Sequence, residues 1–312
     1  MSSVNGNKDS DARLRLDPRL DFFAGTVAGM AALTVGQPFD TVKVRFQDPK
    51  TSLRYSGTFN AVSTIIREER FSGLYKGIMP PMATCALLNG LVFSSYRFLM
   101  KAQLSDDQAI PSLTQIFLAG AGTGMLGAIV TTPTELVKIR QQALLTPIST
   151  RQMLRQIIQQ NGIRGLYRGI TATGLRDTGY GSYFFAYEAT CRYFSQPVYS
   201  HSNSDLIQSI ESDLHTVPWP ALLLAGGVAG VAGWITTFPF DVVKTRIQTT
   251  SASQTKKGLF HGGGVTLSKI AQIWKDEGIR VFWRGLAPTL IRAIPVNMVT
   301  FGAFEAITHA LA

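Results

Sequence analysis

Pro38-Phe-Asp40-Thr-Val-Lys43-Val-Arg45-Phe-Gln47 returns twice in the chain, as Pro133-Thr-Glu135-Leu-Val-Lys138-Ile-Arg140-Gln-Gln142 and as Pro239-Phe-Asp241-Val-Val-Lys244-Thr-Arg246-Ile-Gln248. A proline is followed each time by an acid, then by Lys, Arg and Gln at the same offsets, so the chain is a triplicate. The spacing of about 95 to 105 residues is longer than the 20 to 50 of a solenoid repeat, so each copy must hold several helices.

The repetition extends in both directions. Upstream of each proline stands a Gly-xxx-Gly pair at one offset: Gly25 and Gly29, Gly120 and Gly124, Gly226 and Gly230. Downstream stands an aromatic-basic-glycine triplet: Tyr75-Lys76-Gly77, Tyr167-Arg168-Gly169, Trp283-Arg284-Gly285. Between them run charge-free stretches, 22–39, 77–96, 108–134 and 216–240, close to the roughly 20 residues that cross a bilayer. The equivalent stretches 169–187 and 285–304 are interrupted by Arg176, Asp177 and Arg292, and repetition makes them spans too, giving six. The units are therefore a solvated tail 1–20, repeats 21–105, 110–195 and 217–312, and a polar loop 196–216. The stretch from Met1 to Asp21 has no apolar core and carries four aspartates, unlike a secretory signal or an acid-poor transit peptide.

Composition agrees with a membrane domain. Hydrophobic residues make up 45% of the 312 and charged residues 16%, below the share of about 25% usual in soluble domains. The net charge is +10, but its placement matters more than its size. The segments 40–76, 135–168 and 241–284 carry 21 Lys+Arg against 8 Asp+Glu, and the remainder of the chain is slightly acidic. With six spans these basic loops share one face, and both termini lie on the other. Basic residues divided among three loops are a poor match to a nucleic-acid surface. Two cysteines and four scattered histidines exclude a disulfide scaffold and offer no metal-ligand spacing, so no metal or cofactor is expected.

A proline inside a membrane helix removes one hydrogen bond and kinks the chain, and three kinks at one height converge the odd-numbered helices. Just beyond each lie an acid and a lysine: Asp40 with Lys43, Glu135 with Lys138, Asp241 with Lys244. Such pairs either close within a helix or, given the threefold repetition, reach the lysine of the next helix and ring a central pore. A ring of this kind is a gate, held by pairs worth about 1 kcal/mol or less each where exposed. Gln47, Gln142 and Gln248, further along the same helices, are placed to brace it. The glycine pairs read as faces on which helix backbones approach closely. The triplets, with Lys76, Gly77, Arg168, Gly169, Arg284 and Gly285, read as holds for a lipid phosphate.

The charges at bilayer depth carry the function. Each costs about 2.5 to 3.5 kcal/mol at mid-membrane, so Arg176, Asp177 and Arg292 must face a watery cavity or one another. If Arg176 and Asp177 pair, Arg292 is left for an anionic group. Opposite charges in one cavity suit a zwitterion, with arginine taking a carboxylate and Asp177 a cationic nitrogen.

Taken together, the three Pro-x-acid-x-x-Lys-x-Arg-x-Gln motifs resemble those of the mitochondrial carrier family, over nearly the whole chain from Asp21 to Ala312. The resemblance implies an all-α membrane fold: six tilted helices in threefold pseudosymmetry, with short helices on the matrix side. It also implies a central substrate site, cardiolipin at the triplets, alternating access between two gates, and the inner mitochondrial membrane. Both termini then face the intermembrane space, the protein works as a monomer, and it is a transporter rather than an enzyme. Arg176-Asp177 and Arg292-Ala-Ile-Pro295-Val-Asn297 look like the branch that carries carnitine, acylcarnitines and amino acids. Members handling ornithine place an acid on the second helix, where this chain has Leu88 beside Asn89. Leu87 and Leu88 accommodate an apolar substituent instead, which favours carnitine or an acylcarnitine; Tyr180 and Tyr183 add cation–π attraction for a quaternary nitrogen. An ornithine or other basic amino acid carrier is the alternative, and a non-transporting structural or adaptor protein is the alternative of another class.

The chain also departs from the family pattern. On the even helices Arg97 stands in the first acid position of the second gate and only Glu188 and Glu305 remain as acids, so the intermembrane-side gate, with Arg97 pairing one of them, is expected to be weak. Glu69-Arg70 and Asn161-Gly162 stand where Glu277-Gly278 has the usual form.

Overall fold

A computed structural model describes residues 18–49, 51–104, 111–146, 148–194, 219–249 and 262–311. The tail before Pro18 and the polar loop 196–216 lie outside them. Each repeat is a long helix, a short helix, a 3-10 turn and a second long helix. In the first these are α1 (Pro18–Gln47), α2 (Thr58–Glu69), Phe71–Tyr75 and α3 (Met79–Gln103). In the second they are α4 (Leu113–Ala143), α5 (Thr150–Asn161), Ile163–Tyr167, and a final helix in two pieces, α6 (Ile170–Asp177) and α7 (Gly179–Phe194). In the third they are α8 (Trp219–Thr249), α9 (Gly262–Glu277), Ile279–Trp283 and α10 (Leu286–Leu311).

The expected charge-free stretches are the apolar parts of longer helices. At 30, 31 and 31 residues, α1, α4 and α8 run on through their prolines and carry the ionic motifs as their final turns. At about 1.5 Å per residue each exceeds the thickness of a bilayer core. Among the described residues, Phe71–Gln103 and Leu113–Ala143 are long and apolar enough to cross a membrane by composition alone. The fourth span differs from the expected single helix: it is interrupted at Thr178, directly after Arg176 and Asp177. There the Thr178 hydroxyl donates to the Leu175 carbonyl at 2.6 Å.

Burial is distributed for a lipid solvent. The largest fully buried side chains include Arg45, Lys244 and the glutamines Gln37, Gln47, Gln142 and Gln248. Met125, Ile129, Val231 and Ile235 are meanwhile more than half exposed. In water that inversion would be costly, whereas in hydrocarbon an outward Ile loses nothing and polar groups must find partners inside.

Three small apolar cores lie one beneath each short helix, and a further one, of Tyr96, Met100, Ile116 and Ala119, joins α3 to α4. Val42, Tyr55, Ala61, Ile65 and Leu74 pack under α2; Leu136, Val137, Met153 and Ile157 under α5; Ala172, Val243, Ile247, Ile273, Val281 and Phe282 under α9. Ser149 starts α5 with a capping box closed by Gln152. Each fully buried Ile or Leu in these cores contributes about 1.5 to 3 kcal/mol, and together they fix the ends of α1, α4 and α8, which carry the ionic motifs.

The triplet glycines are required by the backbone. Gly77, Gly169 and Gly285 have φ of +75°, +83° and +90°, the left-handed region where a side chain is strained. Each also rests on the long helix of the next repeat: Gly77 against Lys138, Gly169 against Ile247 and Gln248, Gly285 against Lys43 and Gln47.

Candidate functional site

The ends of α1, α4 and α8 meet on the loop side, and their acids and lysines pair between helices. Lys138 Nζ donates to Asp40 Oδ2 at 2.7 Å, Lys43 Nζ lies 2.8 Å from Asp241 Oδ2, and Lys244 bonds Glu135. Each lysine thus reaches the acid of a different repeat, and the three pairs close a ring. The side chains are 2 to 24% exposed, sheltered enough for the pairs to be stronger than surface ones. Lys43 also lies 5.0 Å from the centre of the Trp234 ring, a cation–π contact the motif does not announce.

The glutamines brace this ring unequally. Gln47 donates to Asp241 Oδ2 at 3.1 Å, whereas Gln142 donates to the Thr41 hydroxyl at 3.1 Å and both amide atoms of Gln248 are buried without a hydrogen bond. The expectation of three braces is corrected to one, and the cause is occupancy. Asp40 is taken by Lys138 and Arg292, and Glu135 by Lys244 and Arg176, while Asp241 bonds Lys43 and has Arg176 only at 3.9 Å, which leaves it room for Gln47. Gln47→Leu is therefore expected to lower the thermal unfolding midpoint of the solubilised protein by several degrees, the effect of losing a bond of about 1 kcal/mol to a charged group. Gln248→Leu, which removes two unsatisfied polar atoms, should leave the midpoint unchanged or raise it; equal losses in both variants would contradict this assignment.

A cavity of 670 Å³ lies against the ring and is lined by Arg176, Asp177, Arg292, Leu88, Asn89, Tyr180, Tyr183 and Trp234 together with the ring residues. Arg176 is its hub. One guanidinium nitrogen bonds Glu135 Oε1 at 2.7 Å and stands 3.9 Å from Asp241, and others bond Asp177. Asp177 is only 4% exposed and takes a further bond of 3.2 Å from the Thr131 hydroxyl. Arg292 is not left over: its Nε lies 3.3 Å from Asp40 Oδ1, an ion pair without hydrogen-bond alignment. The pairing expected of Arg176 with Asp177 is present, but both arginines also reach down to the ring. Leu87, expected beside Leu88 at the site, is instead 61% exposed and does not line the cavity.

A sequence profile of the family described as Mitochondrial carrier protein matches residues 15–107, 111–197 and 215–312, three times in succession. The chain belongs to the mitochondrial carrier family. Among its relatives, the Mitochondrial basic amino acids transporter of Bos taurus is 38% identical over 90% of this chain and 89% of that protein. The human protein of the same name is 38% identical over 90% and 87%. Mitochondrial substrate carrier family protein L of Dictyostelium discoideum is 32% identical over 92% and 94%. The protein is thus a solute transporter of that family and of a mitochondrial membrane.

Other expected carrier sites differ in detail. The ammonium of Lys76 bonds Glu69 at 2.5 Å and the carbonyls of Leu144 and Leu145 at 3.1 and 2.7 Å. Glu69 is half-buried, which raises its pKa, but the bonds from Arg45 and Lys76 outweigh this and hold its carboxyl below the ordinary range. Arg284, 45% exposed, shares Glu277 with Arg246. On the opposite side Arg97 is exposed, and Glu188 accepts from Arg192 of its own helix at 2.7 Å. The side chains of Glu305 and Asn297 lie outside the described residues.

Sequence reasoning missed Gly36, Thr131, Trp234 and Arg192. A Cβ at Gly36 would come within 2.6 Å of Arg292 Nε, so this glycine is what lets Arg292 lie across α1 toward Asp40. The signal was available: two residues before each motif proline stand Gly36, Thr131 and Thr237, and the odd one is the glycine.

Proposed function

We propose that the chain exchanges basic amino acids such as lysine, arginine and ornithine across the inner mitochondrial membrane by alternating access. The observation that carries this reading is the ionic lining of the cavity, five cations (Lys43, Lys138, Lys244, Arg176, Arg292) against four carboxylates (Asp40, Glu135, Asp177, Asp241), with both arginines joined to ring acids. A substrate carboxylate that draws Arg176 or Arg292 away leaves Glu135 or Asp40 short of a partner, and an ammonium on the same substrate takes the vacancy. A solute with one charged group satisfies only half of the exchange. The surplus positive charge gives the α-carboxylate the stronger hold.

The names of the bovine and human relatives support the basic amino acids over carnitine. So does chemistry: a quaternary nitrogen has no N–H to give a freed carboxylate, whereas an ammonium has three. The second helix supplies Leu88 and Asn89 rather than an acid, but Asp40 and Glu135 line the same cavity and can serve the second amino group. Tyr180, Tyr183 and Leu88 favour carnitine or an acylcarnitine as the second reading.

In this reading the ring is the matrix gate, and substrate binding offsets the pairs that must break. The contact is tightest in the occluded state, because equal affinity for both facing states would shift neither. No cofactor takes part, the protein acts as a monomer with both termini in the intermembrane space, and cardiolipin engages the exposed Arg284 and the triplet backbone.

The test is uptake by liposomes containing the full chain and loaded with unlabelled lysine. Labelled lysine, arginine and ornithine are expected to exchange, while cadaverine, which is lysine without its carboxylate, and carnitine should enter at less than about one tenth of that rate, a loss of roughly 1.4 kcal/mol or more. Carnitine exchange with no uptake of any basic amino acid would overturn the proposal. Empty liposomes report uniport, which the short Glu188–Arg192 pair permits. An adaptor protein would show no uptake in any arm.

A further inference from the structure

Arg176 and Arg292 occupy one position of the repeat, each seven residues beyond the glycine of its triplet, Gly169 or Gly285. Each also has within reach an acid on the long helix of the following repeat, Asp241 on α8 or, around the ring, Asp40 on α1. They use it differently. Arg292 Nε lies 3.3 Å from Asp40 Oδ1, whereas Arg176 stays 3.9 Å from Asp241 and bonds Glu135 of its own repeat at 2.7 Å. The two long helices differ two residues before the motif proline, where α8 carries Thr237 and α1 carries Gly36.

That difference decides where each arginine can lie. The Thr237 side chain fills the space that a Cβ on Gly179 would need, so nothing long can cross α8 there. At Gly36 the space is taken by Arg292 itself: an added Cβ would stand 2.6 Å from its Nε and 3.2 Å from its Nη2, with Val296 Cγ2 at 3.1 Å. These three nearest atoms belong to side chains, so an alanine would turn the arginine aside without forcing helices apart. The pair that the glycine permits is a weak one. Its side chains are 25 and 16% exposed, and Arg292 Nε makes no aligned hydrogen bond in it. Both partners line the cavity, and Asp40 keeps Lys138 when the arginine leaves.

We propose that Gly36 is a positioning residue, which parks Arg292 on Asp40 in the empty carrier and thereby sets both the apparent affinity for the solute and the tightness of the unloaded gate. The inference rests on the reading of this cavity as the site of a charged amino acid. A solute that needs Arg292 or Asp40 must first displace their contact, so its apparent affinity is reduced by the fraction of protein in which the pair is closed. The loaded state has already lost the pair and does not feel residue 36. Without a solute the pair ties α10 to α1 beside the ring and slows opening of the empty carrier, which favours exchange over uniport.

Two readouts on the full chain test this. In lysine-loaded liposomes, Gly36→Ala is expected to exchange labelled lysine with a KM about three to five times lower than wild type and a kcat changed by less than about twofold. Uptake into empty liposomes, relative to loaded ones, should rise by a similar factor. A glycine that serves the fold alone would lower kcat when replaced and leave KM where it was. The second readout needs no solute: thermal unfolding of wild type, Gly36→Ala, Arg292→Gln and the double variant. Arg292→Gln should lower the midpoint by about 2 °C in wild type and by less than about 0.5 °C beside Gly36→Ala, where the pair is already open. An equal loss on both backgrounds, or a KM that is unchanged or raised, overturns the proposal. If wild type exchanges no basic amino acid, the functional reading falls, and the unfolding cycle still decides whether Gly36 places Arg292.

Discussion

Arg176→Ala is expected to lower basic amino acid exchange in liposomes by about 100-fold or more, the largest functional effect of any single substitution in the cavity. The guanidinium holds Glu135 and Asp177 and stands near Asp241, so three carboxylates depend on one side chain. Its removal leaves Asp177 buried with only the Thr131 hydroxyl as its remaining side-chain partner among the bonds described. Breaking a buried pair from one side costs about 3 to 5 kcal/mol, so the variant should also unfold at a markedly lower temperature.

The two losses can be told apart. Arg176→Ala combined with Asp177→Ala removes both halves of the pair and should recover much of the thermal stability, because the orphaned charge is gone. Transport should not recover, because the carboxylate receptor is still missing. Arg176→Lys keeps the charge but loses the planar fork, and is expected to exchange about tenfold more slowly than wild type. If a stably folded Arg176→Ala variant carries lysine at more than half the wild-type rate, Arg176 is not the substrate's partner and the proposed exchange of ion partners fails.

How far the sequence can be read depends on whether a feature repeats. The ring followed from its motif, because a threefold pattern constrains where an acid and a lysine can meet, and Lys138–Asp40, Lys43–Asp241 and Lys244–Glu135 are interhelical pairs. The presence of a cavity followed from the cost of charge at bilayer depth. What was not legible is how each polar group divides itself among competing partners. Gln47, Gln142 and Gln248 occupy one motif position, yet only Gln47 meets an acid with capacity to spare. Arg292 was expected to wait for an anion, but Gly36 on another helix clears its way to Asp40. That contact joins the first and third repeats, beyond any local spacing rule. The interruption at Thr178 likewise lies where Gly124 of α4 approaches the backbone of Asp177, a contact between helices that no local spacing announces.

That packing sets up the strongest contrast in stability. Gly120 and Gly124, Gly25 and Gly29, and Gly226 and Gly230 are one motif in sequence, but their surroundings differ. A Cβ on Gly124 would stand 1.9 Å from the carbonyl oxygen of Asp177, and one on Gly120 would stand 2.8 Å from the Cα of Gly181. These are backbone atoms and cannot swing aside, so α4 would have to move away from the interrupted helix that carries Arg176 and Asp177. Among the described residues Gly226 and Gly230 have nothing within 4 Å of the added atom, and Gly230 lines the cavity. Gly124→Ala is therefore expected to destabilise by about 3 kcal/mol, the upper end for overpacking, which shifts the unfolding midpoint down by roughly 6 to 12 °C. Exchange should fall with it even below that midpoint, since Asp177 and Arg176 are displaced together. Gly226→Ala, the same substitution at the equivalent of Gly120, should leave the midpoint unchanged or raise it slightly, because alanine favours the helix by up to about 1 kcal/mol and meets no obstacle. Matched unfolding curves of the two variants decide the matter: equal shifts would mean that the glycine pairs act alike in all repeats and that the close approach of α4 to Asp177 is not what holds the site in place.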